Sequence, residues 1–532
     1  MLKLAGVCYL MLNISILLSL ETRNNFFELI IVHYSDFHGR FIPIAPDGGF
    51  CYDQEKCVGG IARVSTIVHH LKQQHPNAIL LNAGDCFQGT LYYDIYRDNI
   101  TAYFMNKLPH DAITIGNHDF DDEICGLASF MNELRAPKVL TNLDSTDEYL
   151  LQNLYTNSTV ILKSTKGIGV IGVITSDTDK ISKYTGKLKF LNAVETINLE
   201  AKKLKFNGIN IIIVLSHCGI AYDKIIAANC PDVDVIVGGH SHILLYNGIP
   251  PSNEIPYDRY PIVITQTKYN RKVLIVHSGA FTKYMGNIRI VFDENDEVKF
   301  WKGNPIYLDS NVKEDCLIID ELQSWKAGVD RIGKEKIGQA LVFLNNSCDS
   351  GECNLANLIT DAMVYKYNSN ASISLINANS IQSSIPAGPI LYENIYMVAP
   401  YNNTWDLIEL QGKYLLEALE ENVAASSSNT SFINSKLLHW SGLKVTYNLT
   451  NNKDRVIDVK VRCFHCLNKV FEALEPHKRY PIVIPSYIVS NTIIKKQINK
   501  VIGKTSDLAN IVNYIKKIDV VDIGNESRMI FV

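Results

Sequence analysis

Short apolar runs that break off into polar loops recur through the first half of the chain. Leu29-Ile30-Ile31-Val32 leads into His33-Tyr34-Ser35-Asp36, and Ala78-Ile79-Leu80-Leu81 into Asn82-Ala83-Gly84-Asp85. Residues 112–115 lead into Gly116-Asn117-His118-Asp119, residues 211–215 into Ser216-His217, and residues 233–237 into Gly238-Gly239-His240-Ser241-His242. Each run has the length and flanks of a buried strand that feeds a loop. Helical patterns fill the intervals, as at Ile61–Gln74 and Ala193–Phe206. Alternating strands and helices predict a layered α/β domain, in which chemistry collects beyond the carboxyl ends of the strands.

A second region begins near Gly338. A helix over 315–334 reads as the connector, followed by helices at 354–367 and 412–423 and short strands at 373–376, Leu443–Tyr447 and 456–461. The expected order is a leader over 1–20, a first domain over 26–314, a connecting helix over 315–336 and a second domain over 337–532. A length of 532 residues suits two large domains. With 47% hydrophobic and 20% charged residues the chain is ordinary globular protein, which excludes disorder, collagen and coiled coil. A net charge of −4 offers no basic field for nucleic acid.

The N-terminus changes the expected compartment. Lys3, the apolar stretch 4–20 and Ser19 near a cleavage point read as a signal peptide. A signal anchor is the alternative, because the run approaches membrane-spanning length, and the polar residues 21–25 favour cleavage. Eight Asn-x-Ser/Thr sequons, at Asn99, Asn157, Asn345, Asn370, Asn402, Asn429, Asn448 and Asn525, agree with a secreted glycoprotein. Of 12 cysteines, Cys8 would leave with the leader, and Cys51/Cys57, Cys348/Cys353 and Cys463/Cys466 are close enough in sequence to form disulfides in an oxidising compartment. Cys463-x-x-Cys466 admits a redox or zinc role as the alternative. No apolar tail for a lipid anchor follows residue 525. A secreted, extracellular protein without a stable membrane anchor is expected.

Taken singly, the polar strand ends are weak signals: an Asp after a strand is usually a turn or a helix cap. Together they supply Asp36, His38, Asp85, Asn117, His118, His217, His240 and His242 in order. Carboxylate, imidazole and amide oxygen form a ligand set for a zinc-like or manganese-like centre. There are too many donors, and too many oxygens, for one closed tetrahedral site. Two metals about 3.5–4 Å apart fit better.

These motifs resemble those of the calcineurin-like metallophosphoesterases, and more closely the 5′-nucleotidase/apyrase family. The matching stretches are Ser35-Asp36-Phe37-His38, Asn82-Ala83-Gly84-Asp85, Gly116-Asn117-His118-Asp119-Phe120-Asp121, Leu215-Ser216-His217 and Gly238-Gly239-His240-Ser241-His242, joined by Glu352-Cys353-Asn354-Leu355-Ala356-Asn357 in the second region. The resemblance implies an N-terminal four-layer α/β sandwich and a C-terminal mixed α/β substrate-binding domain. By that likeness Asp36, His38 and His242 hold one metal, Asn117, His217 and His240 hold the other, and Asp85 bridges them. His118 and Asp121 match the catalytic pair, with Asp122 as the competing carboxylate. The implied cofactors are two divalent ions, zinc first, with manganese, calcium or magnesium as alternatives. The implied partner is an extracellular nucleotide, with room for a homodimer. The implied activity is phosphate release by metal-activated water, as a 5′-nucleotidase on AMP or an apyrase on ATP and ADP.

Substrate residues implied by the resemblance are Asn377, Tyr401 and Tyr487. For the two tyrosines a half-buried strand position is the alternative. The chain departs from the family at two arginine positions, which hold Gln382 and Asp349, and after Tyr487, where a Gly-rich segment is replaced by Ser490-Asn491-Thr492-Ile493-Ile494-Lys495-Lys496. Arg binds phosphate by paired charge-assisted bonds, and Asp349 would repel it; Lys495 or Lys496 could supply the charge instead. A shifted substrate such as a UDP-sugar, or a nucleotide-binding protein with weak turnover, therefore stands as the alternative.

Overall fold

The computed structural model describes residues 26–532 apart from 183, 270, 368–369, 402, 425–436, 452–453, 465, 467–469 and 492–500. The leader, the sequons at Asn402 and Asn429, and Lys495 and Lys496 lie outside the described residues. The chain divides into two compact units. The first holds the chain up to Phe37, Arg63–Cys86 and Thr101–Glu314; the second holds His38–Ala62, Phe87–Ile100 and Asp315–Val532.

The first unit is built on two six-stranded sheets. One contains β1 (Phe27–Tyr34), β2 (Ala78–Asn82) and β3 (Ala112–Ile113); the other contains β4 (Lys166–Ile174), β5 (Ile211–His217) and β6 (Val235–Gly238). β1 and β2 run parallel with Tyr34 opposite Asn82, and Asn82 in turn lies opposite Ile113. β4, β5 and β6 are likewise parallel, with Ile174 opposite His217 and Ser216 opposite Gly238. The register therefore brings the carboxyl ends of neighbouring strands level, so the five polar loops leave their sheets at matching heights.

Both sheets contribute to one core, with Leu29, Ile31, Ile79 and Leu81 from the first and Ile213, Leu215, Val235 and Val237 from the second, all fully buried. Each such side chain is worth about 1.5–3 kcal/mol in removed apolar surface. Helix α1 (Ile61–Gln74) spans the expected residues, as does α2 (Ala193–Phe206). α2 starts where Asn192 accepts from the Glu195 N–H at 3.2 Å, and it lays Ile197, Ala201 and Leu204 against β4. β3 is shorter than the run 112–115, because Thr114 turns out of the ladder toward Gly116 while its N–H still reaches the Asn82 carbonyl at 3.0 Å.

The second unit is mixed α/β. Its five-stranded sheet runs Leu438–Ser441, Ile373–Asn377, Arg479–Pro485, Thr404–Gln411, Val501–Ser506 in spatial order, with only the Ile373–Asn377/Arg479–Pro485 pair parallel. Helix α3 (Cys316–Gly333) occupies the connector region, and α4 (Asn354–Lys366) lies on the sheet, where Ser374 Oγ donates to the Thr360 carbonyl at 2.8 Å. The three expected disulfides are present. The bond between Cys463 and Cys466 occupies the sulfurs that a zinc or dithiol role would need. The six described sequon asparagines are all at least partly exposed.

Candidate metal centre and substrate residues

The strand-end loops place most of the expected donors in an uncommon backbone conformation. Asp36 (φ 51°), His38 (φ 48°), Asp85 (φ 55°), His240 (φ 72°) and His242 (φ 53°) are all left-handed. Such residues cost about 1–3 kcal/mol each and persist where the surroundings hold them, typically at functional sites. Glycine makes the approach possible. A Cβ on Gly116 would fall 2.1 Å from Asp85 Oδ1, and one on Gly84 would fall 2.7 Å from the Gly116 nitrogen.

Asp85, His217 and His240 bring one ligand atom each to within 4.8 Å of one another. Asp85 Oδ1 accepts the His118 N–H at 2.8 Å, which turns Oδ2 toward His217 Nε2 at 3.1 Å. His217 Nδ1 lies 2.7 Å from the Ala83 carbonyl and donates to it, leaving Nε2 with the lone pair. That Nε2 is buried and makes no hydrogen bond, and neither does the buried Asn117 Oδ1. Two unsatisfied acceptors next to a carboxylate are what a missing cation leaves behind. The second group of candidate ligands comprises Asp36, His38 two residues along the chain, and His242. Asp36 is fully buried. It accepts from Ser35 Oγ at 2.6 Å and from the His240 N–H at 3.0 Å, and its Oδ1 lies 3.3 Å from His242 Nε2. His38 Nδ1 is fixed by the Phe87 carbonyl at 3.2 Å.

The electrostatics point the same way. Burial opposes a charge on His217, yet Asp85 and then Asp36 hold its pKa up to about 10, so Nε2 carries a proton wherever no metal ion takes its lone pair. His240, half-buried beside His217, is pushed down to about 4 by desolvation and by that neighbour, and stays a neutral donor. The cluster thus demands positive charge at one edge and offers lone pairs at the other. Oxygen and imidazole donors in this mixture fit a divalent ion.

His118 is distinct from these donors. Its Nδ1 lies 2.7 Å from Asp121 Oδ2. Burial lowers its pKa, but the Asp121 charge and hydrogen bond raise it to about 9. His118 is therefore an imidazolium at neutral pH, with a quarter of its side chain exposed.

Two supports carry no strong sequence signal. Asp119 is fully buried and accepts from the Asp85 N–H at 3.0 Å, the Cys86 N–H at 2.8 Å and the Gly116 N–H at 2.8 Å, so it ties two donor loops together. Behind His217, Asp223 accepts from Ser216 Oγ at 2.6 Å and meets His277 Nε2 at 2.7 Å. A Cβ on Gly238 would fall 2.1 Å from that nitrogen, so the glycine before His240 leaves room for the pair. Only the adjacency of Asp119 to the Asn117-His118 motif could have drawn attention to it in the sequence.

Among the substrate residues, Tyr487 hydrogen-bonds through its hydroxyl to Asn377 Oδ1 and Ser380 Oγ, so these two expected residues meet. Tyr401 lies edge-on to His38, with ring centroids 6.0 Å apart. Gln382 donates its side-chain amide to the Asn379 carbonyl. Asp349 is half-exposed.

Two facing sheets whose strand ends carry an Asp/His/Asn donor set define a metallophosphoesterase. Residues 29–244 match the calcineurin-like phosphoesterase model, and residues 336–493 match the 5′-nucleotidase C-terminal domain. The chain is 39% identical to an apyrase of Tabanus yao over 522 residues, which covers 94% of this chain and 93% of that protein. It is 34% identical to a 5′-nucleotidase of Rattus norvegicus over 545 residues, or 98% and 94% of the two chains. The crystal structure of a 5′-nucleotidase precursor from Thermus thermophilus superposes with a TM-score of 0.81 at 31% identity, covering 95% of this chain and 99% of that one. The chain belongs to the 5′-nucleotidase/apyrase family and is a metal-dependent hydrolase.

Proposed function

We propose that this chain is a secreted nucleotide phosphohydrolase that releases phosphate from extracellular nucleotides, as a 5′-nucleotidase on AMP or an apyrase on ATP and ADP. The observation that carries the reading is the Asp85–His217–His240 cluster, with unsatisfied His217 Nε2 and Asn117 Oδ1, in a chain alike in sequence to enzymes of those two names. Asp36, His38 and His242 would hold one divalent ion, Asn117, His217 and His240 the other, and Asp85 would bridge them. Zinc suits the imidazole and carboxylate donors best. When bound, such a pair lowers the pKa of water and neutralises phosphoryl oxygens.

The chain's own residues supply the rest. Asp121 holds His118 through Nδ1 and keeps it charged, so its other ring nitrogen can donate to a phosphoryl oxygen as charge builds there. Asp119 fixes the loops of Asp85 and Asn117 through three backbone amides. Tyr401 and Tyr487 offer faces for a base, each stack being worth about 1–3 kcal/mol, and Asn377 offers a polar contact. Secretion is supported by the three disulfides and the exposed sequons. Among the described residues no helix is long and apolar enough to cross a membrane.

A shifted substrate is the second reading. It is favoured by Gln382, whose amide is spent on its own loop, and by Asp349. Phosphate release from AMP, ADP and ATP, and cleavage of UDP-glucose to UMP and glucose 1-phosphate, each with and without chelator, test both. Chelator-sensitive release from AMP alone means a nucleotidase, and release from ADP and ATP an apyrase. Formation of UMP from UDP-glucose, with no phosphate released from the other three, means the shifted substrate, and turnover of none overturns the proposal.

A further inference from the structure

Beyond Asp85 and Cys86 the chain passes through Phe87-Gln88-Gly89, and each of these three reaches another segment. The Phe87 carbonyl lies 3.2 Å from His38 Nδ1, and the Gly89 carbonyl accepts from Arg40 Nη1 at 2.5 Å. The same Nη1 donates to the His38 carbonyl at 2.7 Å, so the loop grips the His38 segment at two points. Gln88, between them, reaches elsewhere. Its Nε2 donates to the Pro400 carbonyl at 2.5 Å, across 312 positions of sequence. Phe87, Gln88, Gly89, His38, Arg40 and Pro400 all belong to the second unit.

Two features mark the Gln88 contact as built rather than incidental. Gln88 is 5% exposed, so its amide has given up water for that carbonyl. Its backbone is left-handed, at φ 64°, a conformation that glutamine seldom adopts and that persists where the surroundings hold it. The residue after Pro400 is Tyr401, half-buried, with its ring edge-on to His38 at a centroid distance of 6.0 Å. Proline fixes its own φ, so a bond to the Pro400 carbonyl restrains the peptide that leads into Tyr401. Arg40 is close enough to Tyr401 to act on it electrostatically, which puts the tyrosine beside the same loop.

We propose that Gln88 is a positioning residue for the nucleobase: by holding the Pro400 carbonyl it sets where the Tyr401 ring stands, and so governs how well a base fits. The inference rests on the reading of Tyr401 as a stacking face. Stacking rewards a ring held at one height and tilt, which a tyrosine's own side-chain torsions do not supply unless the peptide before it is fixed. One short segment thus supports both His38 and the platform for a base. Loss of the Gln88 amide frees the platform alone, because His38 is gripped through the backbone carbonyls of Phe87 and Gly89.

The test titrates adenosine and uridine, which carry a base and no phosphate, into the full chain by calorimetry, with phosphate release followed in parallel. Asparagine tolerates the left-handed backbone but lacks the reach, so Gln88→Asn removes the bond at little conformational cost. Gln88→Gly is the second variant, and thermal midpoint and metal content are measured for both. At least one nucleoside should bind the unmodified chain saturably, and either variant roughly 2–12-fold more weakly, the range one hydrogen bond commands. Metal content should not change. Added to Tyr401→Leu, Gln88→Asn should weaken the nucleoside no further, a result that a general loss of structure would not give. No saturable nucleoside binding, unchanged affinity in the folded variants, full additivity with Tyr401→Leu, or loss of metal overturns the inference. Phosphate release keeps the two readings apart. Release by the unmodified chain alongside any of those results leaves the hydrolase standing and removes Gln88. A chain that releases nothing, yet binds a nucleoside through Gln88 and Tyr401, fails only as an enzyme.

Discussion

Asp85 and Tyr487 both stand just beyond strand ends, yet they are secured differently. Asp85 is buried in a left-handed turn, takes a backbone N–H on one oxygen, and has its own N–H held by Asp119. Tyr487 follows Pro485 and is held through its hydroxyl by two side chains, Asn377 and Ser380. A donor positioned through backbone amides depends on few side chains, here chiefly on Asp119. A contact made between side chains shifts when either one changes. The departures from the family pattern, at Gln382 and Asp349, fall in the unit that holds Tyr487, while every expected donor residue is present at the strand ends.

The largest effect that could break this contrast is at Asp85. Asp85→Asn should remove phosphate release and bound metal together, by turnover assay and elemental analysis. Next comes His118→Ala, which should lower kcat by roughly 10²–10³-fold while metal content is retained. Loss of metal with it would make His118 a ligand instead. Asp119→Ala should weaken metal affinity by about 10–100-fold, as removal of a support behind a ligand does. Affinity unchanged in a metal titration would mean that the loops hold themselves. On the other side, Tyr487→Ala should raise KM by roughly 5–150-fold with little change in kcat, since about 1–3 kcal/mol of stacking is lost. A fall in kcat alone would place Tyr487 nearer the reacting phosphate.

Much of this contrast was legible in the chain itself. The apolar runs ending in Asp36, Asp85, Asn117, His217 and His240 announced strands and loops, because a short buried strand must be apolar throughout and its exit must be polar. Helices α1 and α2 could be placed to the residue from their periodicity. Asp119 and the pair Asp223 and His277 were not legible as supports of the site, for a common reason. Asp119 meets Asp85 across 34 positions, and Asp223 meets His277 across 54. A lone acidic residue carries no pattern, so only tertiary contact distinguishes it from a solvated one. The left-handed conformations were equally hidden, because Asp and His do not advertise it as glycine does.

A comparison by stability rather than activity sets the two units side by side through one buried histidine in each. Burial, with His277 adding to it, pushes His33 down to about 3, and burial pushes His439 down to about 4. Both are neutral when folded, whereas the unfolded chain protonates them below about 6.5. Stability is therefore complete above pH 6.5 and falls as pH drops from there toward 4, by about 1.4 kcal/mol per pH unit for each. Denaturant midpoints between pH 7 and 4.5 should fall accordingly. A flat profile would mean that both imidazoles reach solvent.

The central claim is that donors from five strand ends hold a pair of divalent ions needed for turnover, and metal analysis of the purified chain combined with a chelation assay tests it most directly. The account predicts two ions per chain, complete loss of phosphate release on chelation, and recovery with zinc or manganese. Less than one ion per chain, with phosphate release surviving chelation, would contradict it.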